Sequence, residues 1–274
     1  LETQPRISQS RYIISSENKI STIYNNKFTI IIPAYNEEER IFPVLNDVCH
    51  FIDENKLPWE IIVAVDGYDS TYTIVKRLSN TYNFIIIDRN QCRTGKGGAI
   101  KRVLSKITGE YIILMDADNS VGFLDIIKSI NLLESNDAVI LSRYTRNNKI
   151  PLLRRFLSRG FNIVVKSLTG LRVSDTQSGY KLFRSDLFIG AMRRVTLTNA
   201  SYDFALLYHI QKLGGKIIET PVVYTHSING KLKPVSMTFS FGISLVAFRI
   251  RNSPIYPYVP KFLIKLYHRK FRWI

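Results

Sequence analysis

Short runs of consecutive apolar residues recur along the first half of this chain, at 28–33, 60–66, 83–88, 110–115 and 138–142. Each is too short for an ordinary helix and reads as a buried strand. The first is expected to stop at Pro33. Between the runs, apolar positions return every three to four residues, which predicts helices over 38–55, 70–79, 98–106 and 123–134. Strands and helices that alternate in this way build a mainly parallel central sheet with flanking helices, an α/β fold. Residues 1–27 are polar and expected to be a loose arm. The main domain is expected over 28–232, followed by a C-terminal segment over 233–274.

In a parallel sheet, ligands bind beyond the carboxyl ends of the strands. The residues at those ends are Pro33-Ala34-Tyr35-Asn36-Glu37, Asp66-Gly67, Asp88-Arg89-Asn90, Asp116-Ala117-Asp118 and Arg143. Asp116 and Asp118 stand one residue apart directly after a buried strand. Their mutual repulsion is relieved by a hard divalent cation such as Mg²⁺ or Mn²⁺, shared with phosphate oxygens. Taken alone, the pair is equally readable as a turn with two solvated aspartates. Asp66 is placed to accept hydrogen bonds from a ribose or base, although alone it is a common turn residue. Gly95-Lys96-Gly97-Gly98 offers close backbone approach and a cation near a helix start, which suits an anion. It matches neither a P-loop nor a Gly-X-Gly-X-X-Gly dinucleotide fingerprint.

Charge adds a second theme. The chain of 274 residues has 38 Lys plus Arg against 22 Asp plus Glu, a net charge of +16. After Glu219 no acidic residue remains, and nine basic ones follow. In 261–274, Lys261, Lys265, His268 and Arg272 form one helical stripe, and Phe262, Leu263, Leu266, Tyr267 and Phe271 another. Such a basic, aromatic-bearing amphipathic helix suits a membrane interface, or docking on the protein's own core. No run reaches the roughly 18 apolar residues of a membrane span. The longest candidate, 237–248, is too short and contains polar residues. Two cysteines, Cys49 and Cys92, carry no disulfide or zinc pattern.

These residues together are similar to those of the inverting family 2 glycosyltransferases of the GT-A fold. Within that family the chain resembles the dolichyl-phosphate glucose and mannose synthases, over about 28–231. The resemblance implies that Pro33, Ala34, Tyr35, Glu37 and Asp66 hold the donor nucleoside, with Lys96, Asp116 and Ala117 beside it. It implies that Asp116, Asp118 and Ser120 hold Mg²⁺ or Mn²⁺ with the diphosphate. Leu141-Ser142-Arg143 resembles a Gly-Ser-Arg motif whose arginine faces phosphate. The segment from Leu153 to Gly160 resembles an acceptor-phosphate segment, in which Arg154 and Ser158 share one helical face.

Asp175-Thr176-Gln177-Ser178-Gly179-Tyr180-Lys181 resembles a block typical of glucosyl-type lipid-phosphate synthases. That implies UDP-glucose as donor, an acceptor loop at Asp175, Gln177, Ser178 and Gly179, and Lys181 on the acceptor phosphate. Ser201-Tyr202-Asp203-Phe204-Ala205-Leu206 resembles a Phe-Asp-X-Glu-Leu block, with Ala205 in place of Glu. Asp118, Arg143 and Asp203 are the implied catalytic residues.

The expected activity is inverting transfer of a hexose to a polyprenyl or dolichyl phosphate, at the cytoplasmic face of a membrane, by a peripheral or monotopic enzyme. Two variants of the reading are GDP-mannose as donor and a carbohydrate hydroxyl as acceptor, with Asp203 as base. A nucleic-acid partner is not expected, since no nucleic-acid motif accompanies the charge. A sugar-1-phosphate nucleotidyltransferase would need a Gly-rich loop where Pro33 to Glu37 stand.

Overall fold

The structure is a computed structural model that describes residues 22–144, 152–224, 234–254 and 256–262; the side chains of 22, 152–159, 161 and 234–241 lie outside that description. The strands are β1 (Phe28–Tyr35), β2 (Glu60–Asp66), β3 (Ile85–Asn90), β4 (Tyr111–Leu114), β5 (Ala138–Ser142), β6 (Lys181–Arg184) and β7 (Ile217–Pro221). The helices are α1 (Ile41–Glu54), α2 (Thr71–Thr81), α3 (Lys96–Arg102), α4 (Phe123–Ser129), α5 (Leu152–Thr169), α6 (Ser185–Arg194), α7 (Tyr202–Lys212) and α8 (Pro234–Arg251).

Among the described residues the strands form a seven-stranded sheet in the order β3-β2-β1-β4-β6-β5-β7. All neighbours are parallel except β6, which runs antiparallel to both β4 and β5. The sheet separates two apolar layers, because side chains alternate along a strand. Ile30, Ile32, Ile61 and Val63 face α1, α2 and α4. Ile31, Ile62, Ala64, Ile112 and Leu114 face α3, α6, α7 and α8. Being covered on both faces, β1 and β2 are near-continuous apolar runs, as the sequence shows.

The five expected strands are present. β1 continues past Pro33, which pairs with Ala64 of β2, to Tyr35 opposite Asp66. The reason lies in the ladder. Ile31 faces β4 through its carbonyl, which accepts from Met115 N, and the β1–β4 pairing ends at Ile31. Pro33 points to the same side, two residues on, where no N–H is required. The helix expected over 98–106 begins earlier, at Lys96, and breaks at Val103 into a 3₁₀ turn over Leu104–Lys106.

The expected loose arm is ordered from Thr22, where Thr22–Asn25 forms a 3₁₀ turn. Ile23 and Tyr24 are buried there; the Tyr24 hydroxyl donates to Ile127 O at 2.8 Å, and Trp59 Nε1 donates to Tyr24 O at 3.1 Å. Within the segment after 232, the described part of α8 packs on the domain. In α8, Leu245 and Phe248 are buried, and the Phe248 ring meets Phe204 and Tyr208 of α7 edge-on. The amphipathic stripe of 261–274 lies outside the described residues from 263 onwards.

Gly95 to Gly98 pack the start of α3 against the 197–202 segment. A Cβ on Gly97 would stand 2.6 Å from Tyr202 Cβ and 2.8 Å from Leu197 O, and Gly98 N donates to Thr198 O at 3.0 Å. In α6, a Cβ on Gly190 would meet only the far ends of Arg194 and Leu213, at 3.7 Å or more. Gly97→Ala is therefore expected to lower the urea unfolding free energy by about 1–3 kcal/mol through overpacking. Gly190→Ala is expected to raise it by up to about 1 kcal/mol through reduced backbone entropy. Equal effects of the two substitutions would refute this account of the 95–98 turn.

Candidate active site

β6 explains why distant segments meet. Because it is antiparallel, its first residue lies at the carboxyl ends of its parallel neighbours. Lys181 stands level with Leu114 of β4 and Ile140 of β5. The loop that precedes it, 175–180, is thereby delivered to Asp116-Ala117-Asp118 after β4 and to Arg143 after β5. The contact is close: a Cβ on Gly179 would fall well inside contact distance of the Asp116 carboxylate, so only glycine fits.

Lys96, at the start of α3, pairs with Asp116 at 2.5 Å. Burial favours the neutral acid at Asp116, but Lys96 first, then Lys181 and Arg143, outweighs it and holds the pKa below the ordinary value. The Asp118 carboxylate accepts from Ser120 N at 3.1 Å and from the Tyr180 hydroxyl at 3.2 Å. Burial, with Asp116 and Asp118 adding to it, raises the Tyr180 pKa well above its ordinary value, so the phenol stays a donor. Ser120 Oγ is buried with no hydrogen-bond partner. Two carboxylates and an orphaned hydroxyl form an all-oxygen donor set that fits a hard divalent cation. Among the described residues no group of three or more His, Cys, Asp or Glu side chains gathers there, so further ligands would come from a diphosphate or water.

Arg143 is gripped by Asp175, which is fully buried. Asp175 Oδ2 accepts from Arg143 N and Nε, both at 2.9 Å, and Oδ1 accepts from Nη2 at 2.7 Å. Burial disfavours both charges, and the pairing overrides it: the Arg143 pKa is raised and that of Asp175 lowered. The Arg143 guanidinium also sits 5.8 Å from the Tyr224 ring. Tyr224 in turn bridges Val121, just past the aspartate pair.

Lys181 and Asp203 are placed differently from the sequence expectation. Lys181 is fully buried, donates to Ser178 O and binds Asp203 Oδ1 at 2.5 Å. A lysine so enclosed does not present its ammonium to an acceptor phosphate. Burial first, then nearby Lys96, pulls its pKa below the ordinary value despite Asp203. Asp203 is only 4% exposed and is the partner of this ammonium, not a base open to solvent.

On the donor side, Ala34 is buried and Tyr35 is exposed, with the Arg93 guanidinium 4.5 Å from its ring. The Glu37 carboxylate binds Arg40 at 2.6 Å, and Glu37 N donates to Thr71 Oγ1. Asp66 is buried: Oδ2 accepts from Thr94 N at 2.6 Å and Thr94 Oγ1 at 2.8 Å, and Oδ1 lies 2.9 Å from Arg102. Arg102 also binds Asp88 at 2.8 Å, which Lys106 shares. Asp66 thus fixes the 90–95 turn as well as closing β2. The Gly95–Gly98 turn, expected to suit an anion, gives its close approach to the protein itself.

In the 175–180 loop, expected to face the acceptor, Ser178 Oγ donates to Leu141 O at 2.6 Å, and Gln177 Nε2 is buried with no hydrogen-bond partner. The expected acceptor-phosphate segment is helical, within α5, but the side chains of Arg154 and Ser158 lie outside the described residues. Thr94, Arg102, Tyr180 and Glu219 support the site and were not singled out by sequence. Only Glu219, the last acidic residue of the chain, carried a visible signal.

The glycosyl transferase family 2 model matches residues 29–190. Dolichyl-phosphate beta-glucosyltransferase of Dictyostelium discoideum is 31% identical, covering 87% of this chain and 78% of that protein. The Mus musculus protein of the same name is 26% identical, covering 82% and 75%. Among solved structures, glucosyl-3-phosphoglycerate synthase from Mycobacterium tuberculosis with Mn²⁺, uridine diphosphate and phosphoglyceric acid superposes with a TM-score of 0.61, at 18% identity, over 82% and 78% of the two chains. The same enzyme with Mg²⁺ and uridine diphosphate gives 0.61 as well. The fold is GT-A.

Asp175 has a folded pKa below its unfolded value of about 3.9. Its contribution to stability is therefore complete above that pH and is lost as pH falls through the folded pKa. Asp175→Asn, which removes the negative charge that faces the Arg143 guanidinium, is expected to cost about 3 kcal/mol at pH 7. Urea titrations should show the gap to the parent protein constant above about pH 5 and narrowing as pH falls below about 4. A gap that stays constant below about pH 4 as well would mean that the ion pair is not its source.

Proposed function

We propose, from the premise that this chain belongs to glycosyl transferase family 2, that it moves glucose from UDP-glucose onto the phosphate of a dolichyl or other polyprenyl phosphate. The observation that carries the reading is Arg143, locked by buried Asp175 and near enough to the Asp116–Asp118 end of β4 to act on the Asp116 charge. A fixed guanidinium beside a carboxylate pair suits two phosphate groups that must be held close together, one on a cation and one on the arginine.

The reaction is a single displacement with inversion. An acceptor phosphate oxygen forms the bond to the anomeric carbon as the bond to the diphosphate breaks, giving the glycosyl polyprenyl phosphate and UDP. Asp116 and Asp118, with Ser120, would hold Mg²⁺ or Mn²⁺, which when bound neutralises charge on the leaving diphosphate. Gly179 keeps the Asp116 carboxylate in place, and Tyr180 and Ser120 N orient Asp118. Tyr35, Glu37 and Asp66 flank the nucleoside side, where the Arg93–Tyr35 pair offers a flat cationic surface. The acceptor phosphate is already ionised near neutral pH, so no general base is required. That agrees with Asp203 being enclosed and paired with Lys181, and it favours a phosphate over a carbohydrate hydroxyl as acceptor.

With a lipid acceptor, the enzyme works at a membrane surface, as a peripheral or monotopic protein on the cytoplasmic face. The nine basic residues after Glu219 suit anionic lipid. Among the described residues, no helix is long and apolar enough to cross a membrane.

A matrix of donors and acceptors tests the proposal. Transfer from UDP-glucose to polyprenyl phosphate, abolished by EDTA and restored by Mn²⁺ or Mg²⁺, is the expected outcome. Asp116→Ala is expected to lower kcat by at least ~100-fold with the fold retained, and Gly179→Ala to act in the same direction by displacing the Asp116 carboxylate. Transfer to free glycans but not to polyprenyl phosphate would overturn the acceptor, and full activity of Asp116→Ala would overturn the cation site.

A further inference from the structure

On β7, Glu219 stands level with Ile140 of β5, three residues before Arg143. Its carboxylate reaches over the start of the acceptor loop and accepts two backbone hydrogen bonds. Oε2 takes Ser174 N and Oε1 takes Asp175 N, both at 2.7 Å. Two short charge-assisted bonds to consecutive amides fix the position and direction of the peptide that carries Asp175. From there the connection is direct: the Asp175 carboxylate accepts three hydrogen bonds from Arg143, two from the guanidinium and one from the backbone.

We infer that Glu219 is a positioning residue for the acceptor phosphate, acting through Asp175 on Arg143. The inference rests on the proposed role of Arg143 and extends it. The loop has other anchors, since Thr176 Oγ1 donates to Asn162 Oδ1 at 2.6 Å and Ser178 Oγ to Leu141 O at 2.6 Å. Those hold the loop after Asp175. Among the described residues, the hydrogen bonds to Ser174 N and Asp175 N come from Glu219. Its removal therefore loosens the arginine's support and leaves the rest of the loop in place. A guanidinium misplaced by a fraction of an ångström weakens its hold on the attacking phosphate and leaves the donor side, built from other elements, as it was.

Glu219→Gln tests this isosterically, because an amide has one acceptor oxygen and turns an NH₂ group towards the second N–H. The expected result is an acceptor KM raised ~10-fold, from the loss of one charge-assisted hydrogen bond. UDP-glucose KM and UDP affinity should stay within about twofold, with Tm lowered by only a few degrees, the cost of the lost bond. Glu219→Asp, which keeps the charge but withdraws it by one methylene, should show the same split at smaller size. In the Arg143→Ala background, Glu219→Gln should add nothing, since both act on one contact. The Arg143 Nε–H proton, followed by NMR, should exchange faster in Glu219→Gln than in the parent.

A Glu219→Gln effect that falls equally on donor and acceptor, or that adds to Arg143→Ala, would reduce Glu219 to a structural residue. If Arg143→Ala raises the acceptor KM and Glu219→Gln does not, the relay alone is wrong. If Arg143→Ala leaves the acceptor KM unchanged, the phosphate role of Arg143 fails and the relay's purpose with it.

Discussion

Carboxylates at the carboxyl end of this sheet are matched to cations from other elements. Asp66 after β2 meets Arg102 of α3, Asp116 after β4 meets Lys96 of α3, Asp175 meets Arg143 after β5, and Lys181 of β6 meets Asp203 of α7. A charge withdrawn from water costs several kcal/mol unless it is paired and hydrogen-bonded. The site therefore exists only if strands and helices are held in the relation that satisfies every pair at once. α3 serves two of them, through residues six apart, which makes this short helix the common support of Asp66 and Asp116.

The pairs differ in what they allow. Lys181 and Asp203 have side chains that are 0% and 5% exposed, and they bond to each other and to the loop backbone, so they act as a fixed internal brace. Lys96 and Asp116 are 21% and 34% exposed, and Asp116 has Gly179 flat against it on one side. That pair is more open than the Lys181–Asp203 brace. Arg143 lies between these extremes, with its Asp175 partner completely enclosed. The gradient from brace to open pair runs across β6 and β4.

Much of this was legible in the sequence. The parallel-sheet rule pointed to Asp66, Asp116, Asp118 and Arg143, because carboxylates and arginines are conspicuous after apolar runs. β6 was not legible: four residues beginning with a lysine carry no alternating signal, and its reversed direction depends on partners far away in the chain. The same gap hid the fate of Lys181 and Asp203. Sequence shows residue type but not enclosure, so a buried brace resembles a phosphate ligand. Glycine signals close approach, but at Gly95 to Gly98 the sequence could not name the neighbours, which include Thr198 and Tyr202. α7 was read only as a motif, since Tyr202 to Leu207 are all buried and show no polar face.

The strand order has a consequence for synthesis. β1 to β4 are contiguous both in the sheet and in the chain, so that half can pair as soon as residue 114 has emerged from the ribosome. β5 cannot join it, because its neighbours are β6 and β7, and among the described strands β6 links the two halves of the sheet. Until Lys181 to Arg184 arrive, the nascent chain carries a four-stranded half sheet with an open β4 edge and an unattached fifth strand. Such an interval exposes a pairing edge to other chains. It makes the few residues of β6 the step at which translation speed and chaperone capture would matter most.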